Sequence, residues 1–101
     1  MVSVPAVTAP TPSIAVVDVG AVDREIAAHE QAGRWAEAVA ACWRRVALVP
    51  GAAEKVRTIE HAVSIHRVVL RDEAAARRAT EEVLRVDPGH AGARAYLAAG
   101  R

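Results

Sequence analysis

The chain has 101 residues, with 13 basic and 12 acidic side chains and a net charge of +1; 52% of it is hydrophobic, yet only 3% is aromatic and Phe is absent. That length makes one small domain at most, and balanced charge without long blocks of one sign excludes a strong electrostatic pull on nucleic acid or anionic lipid. The lone Cys42 excludes an internal disulfide and, inside a helical apolar stripe, reads as a small buried hydrophobe.

The apolar content is mostly Ala and Val, which predicts a mainly helical chain whose helices approach closely. No apolar run reaches the length needed to span a bilayer, so no membrane association is expected. The start lacks basic residues, and Pro5, Pro10 and Pro12 interrupt its apolar positions, so no secretory signal is expected and the cytoplasm is favoured. Lys55 is the only Lys, and the richness in Arg, Ala and Val points to a GC-rich coding sequence and a bacterial source.

Residues 1–17 are expected to form a flexible leader, because their prolines deny helical structure and little apolar surface is on offer. The end of that leader, Ser13 to Val19, is β-prone and is expected to pack as a run-in to the first helix. Asp18 is placed to cap that helix, whose stripe is Val19, Val22, Ile26 and His29, with Gly33 as its breaker. A second helix from Trp35 carries Ala38, Val39, Cys42, Val46 and Val49 inward and stops at Pro50-Gly51. The third has the stripe Val56, Ile59, Val63, His66 and Leu70, flanked by Ala62, Ile65 and Val69. Arg71-Asp72 makes the next corner, with Asp72 as N-cap and Glu73 in the first turn. The fourth helix buries Ala76, Ala79, Val83 and Val86. Asp87-Pro88 then predicts a restart with Asp87 as cap and Pro88 as first helical residue, and the fifth helix presents Ala93, Tyr96 and Leu97.

Side-chain chemistry narrows the function classes. His29, His61, His66 and His90 are too scattered for a local metal motif, so neither metal nor other cofactor is expected. His66 reads as a hydrogen-bonded residue at the core boundary. No nucleophile, base and oxyanion donor are marked, and no glycine-rich loop follows a strand, so the chain reads as non-catalytic. Arg44-Arg45 and Arg77-Arg78 are offset by Glu37, Glu73, Glu81 and Glu82 on the same helices, which reads as a solvated mixed face and not a nucleic-acid surface. Trp35 and Trp43 read as packing residues.

The stretch Gly33-Arg34-Trp35-Ala36-Glu37-Ala38 running to Val49-Pro50-Gly51 recurs in weaker form as Asp72-Glu73-Ala74-Ala75-Ala76 running to Val86-Asp87-Pro88-Gly89. This pattern resembles the tetratricopeptide repeat family, through Gly33, Trp35, Ala38 and Pro50 in one unit and Ala76, Val83-Leu84 and Pro88 in the next, with Asp87 to His90 and Leu97-Ala98 as the start of a third. Two departures stand out. Pro50 and Pro88 lie 38 residues apart, four more than the family's period of about 34, and the second corner has Arg71-Asp72-Glu73 in place of a glycine and an aromatic.

The resemblance implies an all-α array of antiparallel helical hairpins, about two and a half repeats, over residues 18–101. It further implies a concave groove lined by the first helix of each unit. Carried over by residue, the groove holds Asp23, Ala27, Glu30 and Gln31 from the first unit and His61 and Ile65 from the second, with Arg57 added when the count starts from Pro50. The function so implied is a non-catalytic protein-binding module, an adaptor or scaffold, that accepts a peptide or helix of another protein. The alternative is a structural subunit that assembles with copies of itself through open helical ends.

Overall fold

The computed structural model describes residues 10–99, with side chains from Val19 onward. Ala-rich 3.6-residue periodicity is realised there as five α-helices, with no strand among the described residues: α1 (Pro10–Gln31), α2 (Trp35–Leu48), α3 (Ala52–Ser64), α4 (Glu73–Val86) and α5 (Ala91–Ala99). A π-helical turn, Ile65–Val69, continues α3.

α1 begins eight residues upstream of Asp18, the predicted cap. The helix tolerates Pro10 and Pro12 because both fall in its first turn, where backbone N–H groups have no intrahelical acceptor to lose. The predicted flexible leader thus overlaps α1 over residues 10–17, and residues 1–9 lie outside the described residues.

The first corner matches its prediction. Gly33 takes a φ of +76°, and the N–H groups of Gly33 and Arg34 donate to the carbonyls of Glu30 (3.1 Å) and His29 (2.8 Å), closing α1 with a Schellman motif. At the second corner Asp72 caps α4 as predicted, accepting the Ala75 N–H at 3.0 Å. The third corner differs. His90, not Asp87, is the N-cap of α5: its Nδ1 accepts the Ala93 N–H at 3.0 Å. Asp87 and Pro88 are used instead in a β-turn closed by the His90 N–H on the Asp87 carbonyl at 3.0 Å, so helix cannot resume until Ala91.

Successive helices are antiparallel and each packs chiefly on its neighbours in sequence. α1, α3 and α5 form one layer, α2 and α4 the other. The first core cluster joins Ala38, Val39 and Cys42 of α2 to Ala62 and Ile65, with Ile26, Trp35 and Trp43 packed against it. The second joins Val56 and Ile59 to Ala79, Val83 and Ala93, again with Trp43. Trp43 therefore belongs to both. The radius of gyration is 16.8 Å, whereas a compact domain of about 100 residues has about 13 Å, so the array is elongated.

The predicted α3 stripe holds through Ile65 and then fails. Val68, Val69 and Leu70 are 68%, 40% and 39% exposed. The π turn widens the helix, shifts the phase of later residues, and so rotates Val69 and Leu70 away from the core. No described helix is long and apolar enough to cross a membrane.

Candidate partner-binding groove

Because α1 and α3 are separated in the chain by one antiparallel helix, they run parallel, and residues about 31 apart face each other across a groove floored by α2. His61 Nε2 meets Glu30 Oε2 at 2.5 Å near one end. Near the other, Arg45 of α2 rises between the two helices. Its Nε donates to Asp23 Oδ1 of α1 at 2.6 Å, and its Nη1 donates to Glu54 Oε1 (3.0 Å) and Thr58 Oγ1 (2.6 Å) of α3. Arg57 Nη2 adds a second donor to Glu54, at 2.5 Å. These side chains, with Ile26, Ala27 and Cys42, line a cavity of about 350 Å³.

The charges are arranged in compensating pairs. The hydrogen bond from Arg57, followed by that from Arg45, holds the Glu54 carboxyl below its ordinary value. Burial works against the charge of Arg45, but hydrogen bonds to Asp23 and Glu54 outweigh it and hold the guanidinium above its ordinary value. Burial, reinforced by the Glu30 carboxylate and opposed by Arg45, pushes the Cys42 thiol up to about 11. At neutral pH that thiol is protonated and lacks the thiolate character of a nucleophile. The cavity can therefore hold a polar and apolar segment, while its Asp23 and Glu54 carboxylates are already engaged by arginines and Glu30 by the His61 ring.

The structure brings five of the sequence-predicted residues, Asp23, Ala27, Glu30, Arg57 and His61, to this one cavity. Gln31 is exposed at the end of α1 and lies outside it. Ile65 is a correction: it is 4% exposed and belongs to the first core cluster, because the start of the π turn faces α2. Arg45 was not predicted as a site residue. Local spacing pairs these arginines with acids on their own helices, yet in the structure Arg44 pairs with Glu25 of α1 and Arg45 with Asp23 and Glu54, partners that a side chain reaches only after the hairpins close. Arg77 likewise turns inward, donating to the Leu97 carbonyl at 3.1 Å.

A second cavity, about 290 Å³, lies between α3 and α5. It is spanned by His90 Nε2 and Glu60 Oε2 at 3.0 Å, so each cavity of this layer carries one imidazole–carboxylate pair. Since His90 Nδ1 accepts the cap hydrogen bond, its ring proton sits on Nε2 and is donated to Glu60. Arg67 stacks over the Tyr96 ring at 4.9 Å, and the Tyr96 hydroxyl bonds Glu73. Among the described residues no three His, Cys, Asp or Glu side chains gather as a metal site requires.

Comparison with family models, with characterised proteins and with solved structures finds no match for this chain.

Proposed function

We propose that this chain is a tetratricopeptide-like, non-catalytic adaptor of about two and a half repeats, which binds a segment or helix of another protein on the α1, α3 and α5 layer. Positions 38 residues apart support the repeat. Gly33 and Arg71 both have positive φ, Ala38 and Ala76 are both fully buried, and α2 and α4 both have 14 residues. The observation that carries the binding reading is the α1/α3 cavity: an apolar floor of Ile26, Ala27 and Cys42 under alternating charges, the arrangement by which a peptide is gripped through its side chains and registered by its charges.

The reading is tested with Glu30→Lys combined with His61→Asp. The pair exchanges the partners of one contact, so the link between α1 and α3 is retained with its polarity reversed. Capture from a lysate of the native host on the wild-type chain is expected to recover a partner that the double variant loses, at equal helicity by circular dichroism. Equal recovery by both overturns groove binding. The self-assembly alternative draws support from the exposed Val68, Val69 and Leu70, which leave an apolar end on α3. Sedimentation over a range of concentrations separates the two: a monomer throughout removes the alternative.

A further inference from the structure

His90 holds the start of α5 by both of its ring nitrogens. Nδ1 accepts the Ala93 N–H at 3.0 Å and Nε2 faces Glu60 Oε2 of α3 at 3.0 Å, while the His90 carbonyl accepts the Arg94 N–H at 3.1 Å. Neutral imidazole has one acceptor nitrogen, and here the cap engages it. When the ring takes a second proton both nitrogens are donors, and the acceptor is gone. Asp72, which caps α4, is the contrast within this chain: above the carboxylate range its oxygens accept at every pH.

The local structure is built around that ring. A Cβ at Gly92 would stand 3.2 Å from His90 Cε1, tighter than such contacts ordinarily are, so the glycine leaves the room in which the imidazole folds back over the first turn. α5 has nine residues, fewer than the roughly 12–15 an isolated helix needs in water, and its buried residues are Ala93 and Leu97. Its far end is held separately: Arg77 donates to the Leu97 carbonyl at 3.1 Å, and the Tyr96 hydroxyl bonds Glu73. The side chain that ties down the first turn is His90.

We propose that His90 is a proton-operated latch: acidification through the range in which imidazole titrates unwinds Ala91 to Arg94 and opens the α5 wall of the cavity between α3 and α5. The protonated Nδ1 turns a hydrogen, not a lone pair, toward the Ala93 N–H, and the new cation lies at the positive end of the α5 dipole. The groups around the ring do not cancel this. Glu60 of α3 bonds Nε2 in both charge states, so it anchors His90 whether the turn is wound or not, and Asp87 belongs to the preceding turn, which the opening leaves in place. Arg67 of the π turn and Arg94, one turn along α5, oppose a further cation. Tyr96 is neutral in this range, and from α4 the cavity receives only Val83 and Thr80, whose hydroxyl is engaged by the Ala76 carbonyl. As the turn unwinds, Ala93 leaves the second core cluster, and Val63 and Val83 line a wider opening. The latch is independent of the groove reading, whose contact of His61 with Glu30 joins α1 to α3.

The test is amide hydrogen exchange, read by nuclear magnetic resonance on the full, isotope-labelled chain at about pH 7.5 and about pH 5, either side of the imidazole range. Each rate is normalised to the intrinsic rate of the same residue at that pH, and the His90 ring carbons report its protonation. The Ala93 amide is expected to exchange about fivefold faster at the lower pH, the equilibrium equivalent of one lost cap, while Leu97 and the α4 amides hold their rates. His90→Asn, which keeps a capping acceptor that does not titrate, is expected to abolish the response with α5 still wound. Glu60→Gln is expected to retain it. A His90 ring that stays neutral at the lower pH, an Ala93 rate indifferent to its protonation, an undiminished response in His90→Asn, loss of the response in Glu60→Gln, or acceleration spread over α1 to α4 would each overturn the proposal.

Discussion

The two hairpin corners do the same job by opposite means. Gly33 and Arg71 stand 38 residues apart and both turn the chain with positive φ, +76° and +55°. At the first corner glycine adopts that conformation without a Cβ penalty, and the next residue, Arg34, gives α2 no side-chain cap. At the second, an arginine bears a left-handed cost of about 1–2 kcal/mol, while Asp72 supplies an N-cap worth about 1 kcal/mol. The closing bonds differ too. Arg34 N–H reaches back five residues to His29, whereas Asp72 N–H reaches back six, to His66 at 2.8 Å, because the π turn has inserted a residue. One corner takes its shape from backbone freedom, the other from side-chain chemistry placed around a strained residue.

The comparison is most exposed at the residue that follows each N-cap: Trp35 in the first hairpin, Glu73 in the second. Trp35 packs against the first core cluster while remaining partly exposed, so Trp35→Ala is expected to cost about 2–3 kcal/mol, below the 3–5 typical of a fully buried aromatic. Glu73→Ala is expected to cost less than about 1 kcal/mol, since Glu73 is exposed and its contacts to Arg67 and Tyr96 lie at the surface. Urea melts of the two variants give the ratio. Equal costs would mean that both corners are held by the same kind of contact.

The caps and the positive-φ residues sharpen it further. Asp72→Ala is expected to lose about 1 kcal/mol, and Arg34→Ala less than about 0.5, because only the former removes a cap hydrogen bond. Gly33→Ala is expected to lose about 1 kcal/mol through the backbone alone, as nothing lies within 4 Å of an added Cβ. Arg71→Gly is expected to gain about 0.5 kcal/mol, strain relief less the added freedom of the unfolded chain. Thermal melts check the opposite signs; a loss on Arg71→Gly would show that the arginine side chain holds the corner.

These corners also show what a sequence makes legible. Gly33 as a breaker, Asp72 as a cap and the α2 and α4 stripes follow from local rules, and the structure keeps them. Asp23, Glu30 and His61 reach one cavity because α1 and α3 run side by side over α2. Other features depend on distant parts of the chain. Arg45 finds its acids only across two helix contacts, the π turn at Ile65–Val69 has no local mark in the sequence, and His90 becomes a cap because the Asp87-Pro88-Gly89 turn uses the residues that would have capped. The start of α1 is set by a finer rule than composition: Pro10 and Pro12 occupy the one turn of a helix where proline is tolerated, so a proline-rich stretch does not by itself mark where α1 begins.

The smallest effect at neutral pH lies one turn deeper, where α2 and α4 again differ at positions 38 apart. Cys42 is fully buried in the first and Thr80 is 5% exposed in the second. The Thr80 hydroxyl is satisfied by the Ala76 carbonyl at 2.8 Å and does not titrate below strong alkali. The Cys42 thiol does: burial raises it from 9.0 to about 11 in the folded chain. A raised acid contributes stability that is present in full below its unfolded value and is lost as pH climbs through the folded one, so the cost falls between about pH 9 and 11. Cys42→Thr places in the first unit a hydroxyl positioned to bond the Ala38 carbonyl, as Thr80 bonds Ala76. Between pH 8 and pH 10.5 the wild-type melting temperature is therefore expected to fall further than that of the variant, all other titrating groups being shared. In the same pH 8 buffer the folded thiol is expected to react with a disulfide reagent only at the rate at which the chain opens. Parallel melting curves and fast labelling of the folded chain would place Cys42 in solvent and remove the difference drawn here between the two units.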